Sequence, residues 1–329
     1  MVDAAAILTQ GQFTTSNAKT AHGLVRGPSR FRIAAVIDHA NAGADAGDLL
    51  DGHHRDIPVV ASLDDLLARG TKVQWLVVGV ATPGGVLPAD MKPVLHEALS
   101  RGIGVASGLH DFVGDDPALV AAAARSGAPI VDVRRPKKRA DLHFWSGAVR
   151  DVKAARIAVL GTDCALGKRT TATLLLAGLR ERGVAAELVT TGQTGWLQGH
   201  RFGFILDATP NDFVSGELER AVVACAREAK PDLILLEGQS ALRNPSGPCG
   251  AELLLSAGAR HVVLQHAPGR RCFDGCEELD IQIPPVAEEI ELLGRYGASV
   301  LGVALNGENR TPAELAATAA QLERELGLP

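Results

Sequence analysis

The chain has 329 residues, 46% of them hydrophobic and 22% charged, which excludes wholesale disorder and, by length, points to two domains. Its 33 basic and 38 acidic residues leave a net charge of −5, and the one basic run, Arg134 to Arg139, is short, which argues against a nucleic-acid-binding face. Glycine and proline, 36 and 17 residues, gather at the ends of short apolar runs and predict many tight loops.

Taken in chain order, Val-, Ile- and Leu-rich runs alternate with helical stretches, the pattern of βα repeats around a parallel sheet buried on both faces. In the first half the spacing predicts strands at Ala5 to Thr9, Arg32 to Ile37, Val59 to Ser62, Val73 to Val80, Gly104 to Ser107 and Ile130 to Val133. Helices are predicted at Pro88 to Arg101 and Pro117 to Ser126. The polar, basic segment 134–150 has no clear period and reads as a linker. The pattern restarts with strands at Arg156 to Leu160, Glu187 to Thr191, Leu233 to Glu237, His261 to His266 and Ser299 to Ala304. Helices near Gly167 to Arg182, Asn211 to Ala229, Pro285 to Tyr296 and Pro312 to Leu326 separate them. Two α/β domains, 1–150 and 151–329, are expected.

No apolar stretch reaches the roughly 18–20 residues that cross a bilayer, and no basic segment precedes the first apolar run; a cytoplasmic protein is expected, without membrane or nucleic-acid partners. The five cysteines are odd in number and lack any CxxC pair, which suits a reducing compartment. Cys272 and Cys276 lie four apart and lack the two-residue spacing of common zinc knuckles, so no metal site is assigned to them.

The strongest chemical signal is Gly161-Thr162-Asp163-Cys164-Ala165-Leu166-Gly167-Lys168-Arg169-Thr170, a Gly-bounded loop between a strand and a helix. Glycines let several N–H groups converge on phosphate oxygens, the helix N-terminus adds its positive dipole end, and Lys168 supplies a full charge. Five residues separate the glycines where the usual loop has four, and Arg169 stands where a Ser or Thr would hold magnesium. The loop resembles that of dethiobiotin-synthetase-like enzymes, which also begin Gly-Thr-Asp.

Three further polar turns follow buried runs, at the sheet edge where ligands collect. They are Thr190 to Trp196, with Gln193, Thr194 and Gly195; Glu237 to Ser240, with Gln239; and Gln265 to Arg270, with His266. Glu237 and His266 read either as bases or as hydrogen-bonded strand-end residues. Asp212 reads as a helix N-cap or a substrate contact. Arg270 with Arg271 reads as a bidentate anion contact or a solvated corner. In the first half, the glycines of Gly102 to Gly108 precede a strand instead of following one, so no dinucleotide fingerprint is assigned.

Together Gly79 to Gly85, Ser107 to Phe112, Asp132 to Pro136, the phosphate loop, Gly192 to Gly195 and Glu237 to Gln239 resemble the D-glutamate N-acetyltransferase family. This bacterial and archaeal group pairs a Rossmann-like N-terminal domain with a P-loop C-terminal domain. The resemblance implies transfer of acetyl from acetyl-CoA, as co-substrate, to D-glutamate, in D-amino acid catabolism with a downstream racemase; a homo-oligomer is expected. On that reading the loop, Gly161 to Thr170, holds coenzyme A phosphates without a metal. Glu237 is the first choice of base and His266 the second. The turn at Gln193 and Thr194 supplies oxyanion donors, and Asp212, Gln239, Arg243 and Arg270 are candidate substrate contacts. Two alternatives stay open: a magnesium- and ATP-dependent ligase or carboxylase, with Asp163, Thr170 and Glu237 organising the metal, and a non-enzymatic nucleotide sensor.

Overall fold

In the computed structural model, which describes residues 2–329, the apolar runs form parallel strands and the stretches between them form helices, in two units. The first unit comprises the residues up to Pro136 together with Gln193–His200. Its strands are β1 (Ala4–Leu8), β2 (Arg32–Ile37), β3 (Val59–Val60), β4 (Trp75–Val78), β5 (Gly104–Ser107) and β6 (Ile130–Asp132). Between them lie α1 (Lys19–Arg26), α2 (Ala46–Asp51), α3 (Leu63–Ala68), α4 (Met91–Ser100) and α5 (Pro117–Ser126). The parallel sheet has the order β3-β2-β1-β4-β5-β6, a doubly wound arrangement whose connections reverse direction between β1 and β4. Every residue of β1 is buried, as a central strand covered on both faces requires. Side chains set the helix starts: Asp45, Ser62 and Asp116 accept from first-turn amides of α2, α3 and α5, and Pro117 opens α5 where a missing N–H costs nothing.

The second unit comprises Lys137–Gly192 and Arg201–Pro329. It contains β7 (Ala155–Gly161), β8 (Ala186–Thr190), β9 (Phe202–Gly203), β10 (Leu233–Glu237), β11 (His261–His266) and β12 (Ser299–Leu305). After β7 comes α6 (Lys168–Glu181); α7 (Gln193–Leu197) follows β8 and is counted with the first unit; the others are α8 (Asn211–Glu228), α9 (Ala251–Leu255), α10 (Val286–Arg295) and α11 (Pro312–Leu326). The sheet order β12-β11-β7-β10-β8-β9 places β7 in the middle, with β10 and β11 on its two sides. Alanine, valine and leucine of β7, β10 and β11 fill one core with Leu218 and Val222 of α8. Both units are therefore α/β with six-stranded parallel sheets. Among the described residues no helix is long and apolar enough to cross a membrane.

The aperiodic segment after Pro136 is held by two buried carboxylates of α8. Glu217 accepts from Lys137 Nζ at 2.5 Å and His143 N at 3.1 Å. Glu219 accepts from Ser146 N at 2.6 Å, Ser146 Oγ at 2.8 Å and Val149 N at 3.2 Å. Phe144 lies against Phe213 with ring centroids 4.6 Å apart. At Gly216 any side chain would run into the His143 carbonyl, so the close approach needs glycine there. Burial works against the Glu219 charge, yet the Ser146 and Val149 donors hold its pKa below the usual carboxylate range.

Glu219→Ala leaves several of these donors unmatched and is expected to lower stability by about 2–4 kcal/mol. Equilibrium urea denaturation measures this, and a change within about 0.5 kcal/mol would show that the segment is only draped on α8.

Candidate functional site

β7 ends at Gly161, and the chain curls through Ala165 at φ 51° and Gly167 at φ 94° before α6 begins at Lys168. Gly167 is the N-cap of α6 and no side chain caps the helix, in contrast to α11, which Thr311 and Glu314 close with a reciprocal capping box. The first-turn N–H groups of α6 therefore have no side-chain cap and carry the positive end of the helix dipole, an anion-receptive terminus. Lys168 folds back across the loop: a Cβ at Gly161 would lie 3.1 Å from its Cδ and 3.3 Å from its Nζ, so a side chain there would crowd the lysine. The ammonium donates to the Asp163 carbonyl at 2.6 Å. Burial pulls the Lys168 pKa down to about 8, against the opposing pull of Cys164, Asp163, Cys249 and Glu237. Arg169, half-buried, makes no hydrogen bond or ion pair through its guanidinium among the described residues. Burial lowers its pKa and the Glu237 charge opposes that shift.

Asp163 is fully buried and all its accepting capacity is turned inward. Oδ1 accepts from Cys164 N at 2.7 Å and Asn244 Nδ2 at 2.8 Å; Oδ2 accepts from Arg270 Nη1 at 2.8 Å and Asp274 N at 2.9 Å. Arg270 also reaches Glu308 at 2.7 Å; burial opposes its charge, but these carboxylates more than compensate and raise its pKa. The loops after β7, β10 and β11 are thereby tied at one point. Asn306 Nδ2 donates to the Leu166 carbonyl at 2.8 Å, and Thr171 Oγ1 to Gln265 Oε1, so the loop is braced on both flanks.

Glu237, the last residue of β10, is 3% exposed. Its Oε2 accepts from Thr191 N at 3.0 Å, while Thr191 Oγ1 donates to the Glu237 carbonyl at 2.9 Å and accepts from Gln239 Nε2 at 2.9 Å. Burial raises the Glu237 pKa; the charges of Arg169 and Lys168 and the Thr191 and Gly192 amides work the other way. A carboxylate so placed is fixed in direction and ready to take a proton. His266 closes β11 with Nδ1 3.0 Å from Thr162 Oγ1, and burial lowers its pKa, which keeps the imidazole neutral near pH 7.

Several expected residues are exposed or already paired within the protein. Thr170 is exposed because the helical turn carries it off the loop. Arg243, expected as a substrate contact, is ion-paired with Glu288 at 3.0 Å and Glu289 at 2.8 Å. Arg270 is ion-paired with Asp163 and Glu308, and Asp163 itself is a structural hub. Asp212 is exposed in the first turn of α8, whose N-cap is Pro210. Thr191 and Gly192 stay with Glu237, whereas Gln193, Thr194 and Gly195 start α7, which joins the first unit. There a Cβ on Gly108 would come within 2.7 Å of Gln193 Cγ, and Leu197 is buried beside Leu24 and Phe31. Of the bracing residues, Gln265 and Thr171 lie in segments the sequence marks, whereas Asn244 and Asn306 do not. Of these two, Asn244 alone carried a signal, an Asn-Pro pair that favours a turn.

Among the described residues one group of carboxylates and histidine, Asp45, Asp48 and His54, has ligand atoms within 4.8 Å of one another. The Asp45 oxygens are already engaged by amides of Gly47, Asp48, Arg55 and Ile57, so that cluster reads as a turn.

Residues 39–136 match a family model described as a DUF1611 N-terminal, Rossmann-like domain of unknown function, and residues 143–329 one described as the DUF1611 C-terminal P-loop domain. The chain is 31% identical over 279 residues to a D-glutamate N-acetyltransferase of Tritonibacter scottomollicae, covering 82% of this chain and 79% of that one. It is 31% identical over 238 residues to one of Pseudoalteromonas sp., covering 70% and 68%. The crystal structure of a DUF1611 family protein from Anabaena variabilis superposes with a TM-score of 0.89 at 32% identity, covering 99% of this chain and 94% of that one.

The depressed Lys168 pKa has a consequence for stability. Between about 8 and the ordinary lysine value near ~10.4 the unfolded chain binds more protons at this residue than the folded one, so stability contributed here rises with pH across that window. Relative to Lys168→Met, the wild type is expected to gain stability as pH climbs from about 7.5 to 10. Urea titrations of both proteins across this range test it; parallel pH profiles would mean that the ammonium is not desolvated.

Proposed function

We propose that this chain, which belongs to the DUF1611 family, is an N-acetyltransferase that moves the acetyl group of acetyl-CoA to the amino nitrogen of D-glutamate. The observation that carries the reading is a juxtaposition: an uncapped helix N-terminus with Lys168 and Arg169 follows β7, and the strand paired with β7, β10, ends at the buried Glu237. The names of the relatives from Tritonibacter and Pseudoalteromonas support it independently. Coenzyme A carries a pyrophosphate and a further phosphate, and a loop rich in free donors and cations suits such a polyanion.

Under this reading Gly161, Gly167, Lys168 and Arg169 form the donor site. The acceptor enters as an ammonium and must lose a proton before its lone pair can attack the thioester carbonyl. Glu237, drawn toward the neutral form by burial, takes that proton; His266, neutral and tethered to Thr162, is the second candidate. Attack forms the C–N bond, collapse of the tetrahedral intermediate breaks C–S, and the departing thiolate is protonated to coenzyme A. The ligase reading drew its support from Asp163 as a metal ligand. With both Asp163 oxygens engaged by four protein donors, that support is gone.

Pure protein incubated with acetyl-CoA should release thiol only when D-glutamate is added and should do so equally in EDTA. Phosphate release from Mg·ATP in place of thiol release would favour the ligase. Lys168→Ala should raise the KM for acetyl-CoA by roughly tenfold or more, through loss of a charge-assisted phosphate contact. Glu237→Gln should depress kcat by about 10²-fold or more with little change in that KM. Wild-type turnover in Glu237→Gln would remove it as the base.

A further inference from the structure

We propose that Arg169 is a built-in counter-cation standing where other phosphate loops use a divalent metal, so that this loop binds a pyrophosphate group without metal. The inference rests on the phosphate-loop part of the functional reading and not on acetyl transfer.

In the usual loop the lysine is followed by a Ser or Thr whose hydroxyl holds Mg²⁺ against the phosphates. Here that helical position carries a guanidinium, which cannot ligate a cation and repels one, but offers five N–H donors to oxyanions. Of the other oxygens that would complete a metal site, those of Asp163 and Thr171 are engaged, Thr170 is exposed, and Glu237 gives one of its two to the Thr191 amide. Both carboxylate oxygens of Asp163 accept from protein donors, Arg270 among them. Thr170 is exposed, and the Thr171 hydroxyl donates to the Gln265 side chain. The loop has thus lost its metal-holding hydroxyl and gained a charge at one position.

Arg169 is also the cation with something to gain from a ligand. Its guanidinium is half-buried and lacks a hydrogen-bonding or ion-pairing partner among the described residues, a costly state for a charge drawn out of water. Arg270, on the same edge of the sheet, has the Asp163 and Glu308 carboxylates instead. Glu237, the acid whose charge Arg169 senses, is held by the Thr191 amide and makes no ion pair with it among the described residues. An incoming pyrophosphate would find Arg169 and the free amides of α6 available together.

Isothermal titration of the full-length protein with inorganic pyrophosphate tests this, in buffer with MgCl₂ and again with EDTA. Wild-type affinity should agree within about twofold between the two buffers. Arg169→Met should weaken binding by roughly tenfold or more in both, with its circular-dichroism melting curve reporting whether it is folded. If that variant does not fold, Arg169→Gln takes its place with the same expected loss. Wild-type binding that requires Mg²⁺, or a folded variant that binds like wild type, would overturn the proposal. Metal-independent pyrophosphate binding in a protein that releases no thiol from acetyl-CoA would instead sink the acetyltransferase reading and leave this one standing.

Discussion

The ion pair between Asp163 and Arg270, completed by Asn244 and the Cys164 and Asp274 amides, is the constraint on which the phosphate loop depends. A carboxylate removed from water is tolerated only when every lone pair is matched, and here the matching groups come from the loops that follow three neighbouring strands. Each of these loops is aimed by its strand at the same edge of the sheet, so satisfying one buried charge fixes all three. The start of α6 can then stand without a side-chain cap, because the shape of the loop does not rely on one.

That division of labour explains why the three cations of the site behave so differently. Arg270 is pinned by carboxylates and its pKa is raised, whereas at Lys168 and Arg169 burial outweighs the negative charges around them, and both are lowered. Groups whose charge is disfavoured by burial bind an anion with a larger gain than solvated ones, since part of the desolvation cost is already met before the ligand arrives. Glu237 is the mirror case, a carboxylate pushed toward protonation by burial and drawn back by those same cations. Base and anion site are thus one coupled electrostatic system within the second unit.

Much of this was legible in the sequence. Buried parallel strands have to be apolar throughout, and β2, β5, β10 and β11 were bounded to the residue because Gly, Pro or a charge stands at their ends. The phosphate loop was legible because its chemistry needs glycines and a lysine at fixed spacing. Short amphipathic pieces such as α1 and α2, of eight and six residues, were not, since fewer than three turns give no periodicity to read. Side-chain pairing was hidden for a different reason. Arg243 and Glu289, or Asp163 and Arg270, meet only after the strands are ordered in the sheet, so the sequence does not show that these arginines are ion-paired with internal carboxylates. The departure of Gln193–His200 to the first unit was equally invisible, because Thr191-Gly192-Gln193 reads as a single turn.

The central claim is that the bend from Gly161 to Arg169 grips a polyanionic acyl carrier with its amides and two desolvated cations. A crystal structure with coenzyme A tests it most directly. The account predicts the pyrophosphate oxygens in hydrogen-bond contact with the amides that open α6 and with Lys168 and Arg169. Coenzyme A bound away from this bend, or held there through a metal ion with Arg169 turned aside, would contradict it.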